Sequence, residues 1–380
     1  MLQKHFETLT DIRQSHKIKH NLLEIVTLTV CALVAGIDAW WQIADFVDKQ
    51  KDFFRAKFGF KLINGAPSHD TFRRVFELIN PREFEKCFLS WVRSAVDLSG
   101  GEIVNIDGKT LRGSRKNNCP PLHLVGAWAN KNRMLLGQIP TKDKSNEITV
   151  IPDLLEFLDL KGCIVTIDAI GTQKDIAQKL SRDNDYVLTV KENQPLLNKD
   201  LLYYFEETLQ DEKLYFSESR LKTSEKAHGR IEIRKYYLSD DVDWLKKNHD
   251  WSGLAAVGCV ESEVFQNGKT TTEKRFFITT LTDIKTFAKA VRSHWAIENS
   301  LHWCLDVTFN EDKCIKRTGN SVENFAVVRR IVLNLVKNYD PVLYTKKGDV
   351  AKEKMSLRAK LKKCEYDYDF LYDVLARCLL

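Results

Sequence analysis

The chain has 380 residues, of which 43% are apolar and 29% charged. At roughly 100–200 residues per domain this predicts two or three domains with real cores, and the balance excludes both a disordered chain and a membrane bundle. The net charge of +6 suits a nucleic-acid partner without requiring one. Nine cysteines at irregular spacing include no Cys-x-x-Cys pair, which argues against a zinc ribbon and against a disulfide framework. They are expected as reduced thiols of a cytoplasmic protein. Residues 1–20 lack the apolar core of a secretory signal, and the longest apolar run, 25–37, is shorter than the roughly 20 residues a bilayer needs, so no membrane partner is expected.

Residues 1–99 read as a helical domain. Leu22, Ile25, Val26, Thr29, Val30, Leu33, Val34 and Ile37 recur near a 3.6 period, and a second helix begins over 38–42. Ser68 is a plausible N-cap for a helix through Phe72, Val75 and Phe76 that stops before Pro81. Pro81 then fits the first turn of another helix, through Phe84, Phe88, Trp91 and Val92.

The period changes after Gly100-Gly101. Strands are predicted at 102–106, ending at Asp107, and at 122–129 and 134–139. A helix follows at 152–160, then a strand at 163–167 ending at Asp168. Thr172 and Asp175 have capping-box spacing and open a helix of about ten residues before a strand at 186–190. The order β-β-β-α-β-α-β over 100–194 reads as an α/β sheet covered on both faces. Residues 195–283, charged and carrying strand-like pieces at 231–238, 254–265 and 274–280, read as a β-rich insertion. A long helix over 284–307 opens a helical stretch, 284–340, and 341–380 read as a basic then acidic helical tail.

Three carboxylates stand out. Asp107 and Asp168 each close a predicted strand, and in open α/β sheets sites gather at the carboxyl ends of strands. Such a pair can bridge hard cations such as Mg²⁺, although either aspartate alone serves equally as a turn cap. Glu298 falls inside the apolar stripe Val291, Trp295, Leu301, Leu305, Phe309, which predicts a core-directed carboxylate, costly unless paired or metal-bound. His294, His302 and Asp306 lie at four-residue steps around it, and pairing with one of the two histidines is the alternative.

The basic stretch Lys109, Arg112, Arg115 and Lys116 suits a phosphate backbone, or simply a solvated loop. His228-Gly229-Arg230 reads as a turn, with a DNA contact as the alternative. Arg73 and Arg74 are placed for a groove-binding helix; a docking helix packed on Phe72, Val75 and Phe76 is the other reading. The phosphate loop of nucleotide-driven motors and the Gly-x-Ser-x-Gly elbow of hydrolases are both missing from the sequence.

Six ordered blocks carry a family resemblance: PSHDTFRRVF (67–76), NIDGKTLRGS (105–114), KSNEITVIPDLL (144–155), VTIDAIGTQKDIA (165–177), YVLTVKENQP (186–195) and HWAIENSLHWCLDVTFNED (294–312). The chain resembles the DDE transposases of bacterial insertion sequences, in the branch containing the H-repeat-associated proteins of Rhs elements, over residues 1–340. The resemblance implies an RNase H-like catalytic core, a mixed β-sheet flanked by helices, with a β-rich insertion and a helical N-terminal domain. It implies Asp107, Asp168 and Glu298 as catalytic residues and metal ligands for two Mg²⁺ ions, with Mn²⁺ accepted. It also implies DNA partners, namely element terminal inverted repeats and target DNA, a homodimer in the synaptic complex, and a bacterial cytoplasmic location at the nucleoid. Where more distant relatives carry a Tyr, an Arg and a Lys around the glutamate, this chain has Val291, His294 and Leu305. Arg292, His302 and Lys313 are the candidates for those DNA contacts. A catalytically inactive DNA-binding derivative and a related metal-dependent endonuclease are the alternatives to an active transposase.

Overall fold

The computed structural model describes residues 2–98, 100–115, 120–141, 146–216, 219–227, 229–344 and 350–379. Six helices precede the sheet: α1 (Leu2–Phe6), α2 (Leu22–Val34), α3 (Trp40–Lys49), α4 (Lys51–Phe58), α5 (His69–Leu78) and α6 (Pro81–Ala95). The caps follow the sequence. Asn21 accepts from the Leu23 and Glu24 amides, Ser68 from Thr71, and Asn80 from Arg82 and Glu83, with Pro81 in the first turn of α6. Helix α2 is apolar almost all round and is buried almost all round, as that composition requires. Helix α5 is a docking helix. Phe72, Val75 and Phe76 are buried, and the Phe76 ring packs on Trp40, Phe84 and Phe325. Arg73 is engaged by Asp70 and Glu77 within its own helix, and Arg74 faces solvent.

One nine-stranded sheet forms the body. Its strands are β1 (Ile103–Thr110), β2 (His123–Ala129), β3 (Met134–Thr141), β4 (Ile164–Ile167), β5 (Asp185–Val190), β6 (Arg220–Ala227), β7 (Arg230–Ser239), β8 (Ala256–Gln266) and β9 (Lys269–Thr279). They lie in the order β3-β2-β1-β4-β5-β9-β8-β7-β6. The first five, antiparallel across β3-β2-β1 and parallel across β1-β4-β5, form the RNase H-like core. The β-rich insertion is not a separate layer: β9 pairs antiparallel with β5, Val187 opposite Thr279, so the four later strands extend the core sheet. Strand β6 escaped sequence reading because its residues are exposed and charged, with no apolar alternation to mark it.

Helices α7 (Glu147–Phe157), α8 (Lys174–Leu180), α9 (Pro195–Thr208), α10 (Glu212–Tyr215) and α11 (Asp243–Asn248) lie between strands. Helix α7, read at 152–160, already starts at Glu147, and α9, α10 and α11 fall in the insertion read as β-rich. The capping box at Thr172 does not form: the Thr172 hydroxyl donates instead to the Thr189 carbonyl, 2.6 Å away, and α8 starts at Lys174. Helix α9, which opens the insertion, buries Leu197, Leu201 and Phe205, and Phe205 stacks on Phe216 and Phe276.

Helices α12 (Ile284–His294), α13 (Ser321–Asn338), α14 (Leu357–Tyr366) and α15 (Tyr368–Leu379) complete the chain, with a short hairpin, β10 (Val342–Tyr344) and β11 (Val350–Lys352), between α13 and α14. Helix α13 is the central spar, packed on α2, α5, α6 and β3. Among the described residues Cys31, Cys87, Cys163, Cys259, Cys304, Cys314 and Cys364 are free, and all but Cys314 are buried. No helix among the described residues is long and apolar enough to cross a membrane.

The docking role of α5 makes a direct test. Phe76→Ala should cost ~3–5 kcal/mol in denaturant unfolding, the usual range for a buried Phe. Arg74→Ala on the exposed side should change stability by less than about 0.5 kcal/mol. Equal small effects would contradict the docking role.

Candidate active site

Strand alternation decides which side chains share a face. Ile103, Ile164 and Val187 pack with Ile284, Phe287 and Val291 of α12, whereas Val104, Ile106, Val165 and Ile167 belong to the core on the other face. Counting in twos, Asn105, Asp107 and Lys109 on β1, and Thr166 and Asp168 at the end of β4, turn toward the α12 side. Parallel pairing sets Ile106 beside Ile167, so the next residues, Asp107 and Asp168, emerge side by side.

Asp107 does not end its strand, as the sequence suggested. Only the parallel ladder stops there; the antiparallel ladder with β2 carries β1 to Thr110, with Asp107 opposite Gly126. Asp168 does follow its strand, and its Oδ1 accepts from the amides of Ile170 (3.1 Å) and Gly171 (3.3 Å). The Asp107 Oδ1 accepts from the Gly108 amide at 2.8 Å. Burial first, then the Asp168 carboxylate, push the Asp107 carboxyl up to about 7; Glu147 and Glu298 push the same way.

Glu298 corrects the sequence reading. The predicted single helix over 284–307 is regular only to His294; two widened π turns follow, Glu298–His302 and Cys304–Thr308. The break in the regular helix after His294, with a turn at Trp295, changes the phase of the side chains before the first π turn begins. Ile297, Leu301 and Leu305 fill the core, while Trp295 and Glu298 are exposed. Glu298 is therefore not core-directed, and neither of the two histidines expected as its partner pairs with it. His294 hydrogen-bonds Thr166 (Nδ1 to Oγ1, 2.8 Å), and Asp306 binds Lys109. His302 lies 3.8 Å from Asp107. Burial, then Lys109 and Arg330, push the His302 imidazole down to about 3, so it faces Asp107 as a neutral ring at pH 7.

The basic candidates divide into three groups. Lys109 is buried, its ammonium 2.6 and 2.8 Å from the two Asp306 oxygens, so it is an internal ion-pair member and not a free phosphate contact. Arg292 is bound by Glu225 and Arg230 lies 3.4 Å from Glu232, so both also have carboxylate partners. Arg112, 84% exposed although its Nε lies 3.7 Å from Asp312, joins Arg115 and Lys313 on the surface of paired short turns, Arg112–Ser114 and Glu311–Lys313. Gly113 is required where these turns meet: a Cβ there would lie 2.5 Å from the Asp312 carbonyl oxygen. Lys116 and His228 fall outside the described residues. Val291 and Leu305 are buried and His294 is held by Thr166, so those three positions offer no outward contact.

Sequence reading missed a buried pair behind the site. His123 Nε2 and Glu147 Oε1 are 2.7 Å apart, and the Thr110 hydroxyl lies 2.7 Å from His123 Nδ1. They press on Gly108, where a Cβ would stand 2.4 Å from Glu147 Oε1. The signal was present: Glu147 shares the buried phase of α7 with Ile151, Leu154 and Leu155.

The donor set suits a hard divalent cation. Asp107 and Asp168 offer carboxylate oxygens alone, and the burial and mutual repulsion that raise Asp107 are what a bound cation would relieve. Among the described residues no three His, Cys, Asp or Glu side chains already converge on one ion position, consistent with Glu298 facing outward.

The family model "DDE_Tnp_1-associated" matches residues 3–92, and "Transposase DDE domain" matches residues 98–335. A sheet-borne carboxylate pair beneath a glutamate-bearing helix is thus set in a transposase domain, and the chain belongs to the DDE transposase family. It is 39% identical to the H repeat-associated putative transposase YhhI of Escherichia coli (strain K12), covering 99% of this chain and 97% of that protein. It is 38% identical to the putative transposase YncI of Escherichia coli O157:H7, covering 99% and 95%. A shorter match, 39% identical over 20% of this chain and 86% of the relative, is to the inactive transposase YbfQ of Escherichia coli (strain K12). Among solved structures, a piggyBac transposase synaptic complex with hairpin DNA aligns with a TM-score of 0.38 at 12% identity, covering 96% of this chain and 76% of that one.

The raised Asp107 carboxyl has a pH signature. Its folded value lies above its ordinary 3.8, so its stabilising contribution is full below about pH 4 and is lost as pH rises toward 7. In chelator, Asp107→Asn should therefore be more stable than wild type at pH 8, by about 2–4 kcal/mol, and should lose that advantage at pH 4. Chemical denaturation at both pH values checks this; a constant difference would show that the Asp107 carboxyl is not raised in the folded protein.

Proposed function

We propose that this chain is an insertion-sequence transposase that cuts DNA at element ends and joins the freed ends to target DNA in a metal-dependent reaction. The observation that carries the reading is the placement of Asp107 and Asp168 side by side on parallel strands, with the Glu298-bearing turns on the same face. Two Mg²⁺ ions, or Mn²⁺ in their place, held by Asp107, Asp168 and Glu298 would activate the nucleophile and stabilise the departing oxygen.

Asp107 and Asp168 present carboxylate oxygens from the end of the parallel ladder, and a bound cation would hold Asp107 ionised against the burial that raises it. His302, 3.8 Å from Asp107, is a neutral ring and adds no charge to the site. In cleavage, a water oxygen bonds to phosphorus as the bond to the bridging 3′ oxygen breaks, leaving a 3′ hydroxyl and a 5′ phosphate. In joining, that 3′ hydroxyl oxygen bonds to a target phosphorus and the target's own 3′ oxygen departs with a proton. Only the nucleophile changes, so one site serves both steps.

Arg112, Arg115 and Lys313, on the surface beyond Lys109, are the phosphate contacts this reading favours, with Arg74 at a distance on α5. Arg73, Arg230, Arg292 and Lys109 have carboxylate partners in the free protein and would have to exchange them for phosphate. Synapsis of two terminal inverted repeats calls for a homodimer. The alternative, a DNA-binding protein that no longer cuts, draws on the outward-facing Glu298 and on the relative named as inactive.

The test uses purified protein, Mg²⁺ or Mn²⁺, and labelled DNA carrying the flanking repeats, beside Glu298→Gln. Cutting at the repeat boundary that is lost in the variant supports the reading, and strand joining separates a transposase from an endonuclease. Binding without cutting in either metal sinks it in favour of the inactive alternative. Arg112→Ala, Arg115→Ala and Lys313→Ala should each weaken DNA binding across all sequences and lower the slope of log affinity against log salt by about 1. An unchanged slope would remove that residue from the interface.

A further inference from the structure

The turns that carry Glu298 are unusual in what holds them. A π turn gains little from its own backbone and persists where neighbours over-determine it. This segment has two in succession, so its supports decide where Glu298 sits.

The supports come from far away in sequence. The Asn105 side-chain amide donates to the Ser293 carbonyl at 2.7 Å, and Thr166 bonds both Asn105 and His294, which pins the end of α12 over β1 and β4. Beyond that point two buried lysines take over. Lys109, two residues past Asp107 on the same face of β1, clasps both oxygens of Asp306 in the second π turn, and reaches within 3.8 Å of Asp312. Lys337, on α13, donates its ammonium to the Ser300 carbonyl inside the first π turn. Its charge also lies 4.5 Å from the centre of the Trp128 ring. A carbonyl set in a widened turn is a ready acceptor, and the Trp128 face offsets part of the burial that pushes the Lys337 ammonium down to about 8.

We propose that Lys109 and Lys337 are positioning residues that fix Glu298 relative to Asp107, Lys109 through Asp306 and Lys337 through Ser300. Lys109 thereby ties the first carboxylate of the site to the third, through a strand and a helix separated by almost 200 residues in the chain. Lys337 lies just past the end of the matched transposase domain at residue 335, so this brace is not visible in the domain match. The inference rests on the reading of Glu298 as the third carboxylate.

The experiment compares Lys109→Met, Asp306→Asn and Lys337→Met with wild type and with Glu298→Gln. Three readouts are taken: DNA affinity in chelator, Mn²⁺ affinity of the free protein, and the single-turnover cleavage rate. A brace predicts DNA affinity within about twofold of wild type, with Mn²⁺ affinity and cleavage each down about 10–100-fold, the range for residues that orient metal ligands. The Lys109→Met/Asp306→Asn double variant should be no worse than either single one, because both remove the same contact. Should Lys109→Met fail to fold, Asp306→Asn and the charge-preserving Lys109→Arg carry the test, with Lys109→Arg retaining most of the rate.

Loss of DNA affinity in Lys109→Met with Asp306→Asn unaffected would make Lys109 a phosphate contact and overturn the proposal. Wild-type Mn²⁺ affinity and rate in Asp306→Asn and Lys337→Met would overturn it as well. If Glu298→Gln itself leaves Mn²⁺ affinity and cleavage unchanged, the reading of Glu298 fails first and the proposal falls with it.

Discussion

Two carboxylates held side by side repel each other, and a fold keeps them there only if the backbone leaves no choice. Here the parallel register of β1 and β4 makes Asp107 and Asp168 neighbours, and the period of two turns both toward α12. The cost is visible in the Asp107 carboxyl, driven up by burial and by Asp168. The strands are paid for by apolar packing on both faces: Val104, Ile106, Val165 and Ile167 on one side, Ile103 and Ile164 on the other. The rest of the structure surrounds this constraint. The N-terminal helices and α13 close one face, and α12 with the π turns closes the other.

The third carboxylate is held in a different way. Asp107 belongs to the ladder and Asp168 follows directly on β4, held by the Ile170 and Gly171 amides, whereas Glu298 sits on turns whose geometry depends on contacts with β1, β4 and α13. In the free chain it faces solvent while the aspartates are partly covered. On the proposed reading, Glu298 would turn inward to join the two aspartates only once cation and DNA are in place. A site with all three carboxylates pre-converged would instead store more repulsion in the free protein.

Much of this was legible in the sequence, and what was not has physical reasons. The core strands and helices α2, α5 and α6 announced themselves by period, caps and proline placement, because local interactions decide them. The nearness of Asp107 to Asp168 could be anticipated from strand ends, although the continuation of β1 to Thr110 depends on its pairing with β2. The direction of Glu298 was misread because a constant 3.6 period was carried past the end of the regular helix at His294 and the turn at Trp295; the buried phase passes to Ile297, leaving Trp295 under the Arg275 guanidinium, 3.9 Å from its ring centre. Lys109 looked like a phosphate contact because its partner, Asp306, is distant in sequence and nothing local marks the pair. Glu147 was readable from the apolar phase of its helix, but its place behind Gly108 is a tertiary fact.

The central claim is that Asp107, Asp168 and Glu298 form one cation-binding site for DNA strand chemistry. Its most direct test is a structure of the protein with Mn²⁺ and a DNA end, with the metal located by its anomalous signal. The account predicts Mn²⁺ between Asp107 and Asp168, with the Glu298 carboxylate turned inward to join them and the scissile phosphate alongside. Manganese bound elsewhere, or Glu298 still in solvent with DNA in place, would contradict it.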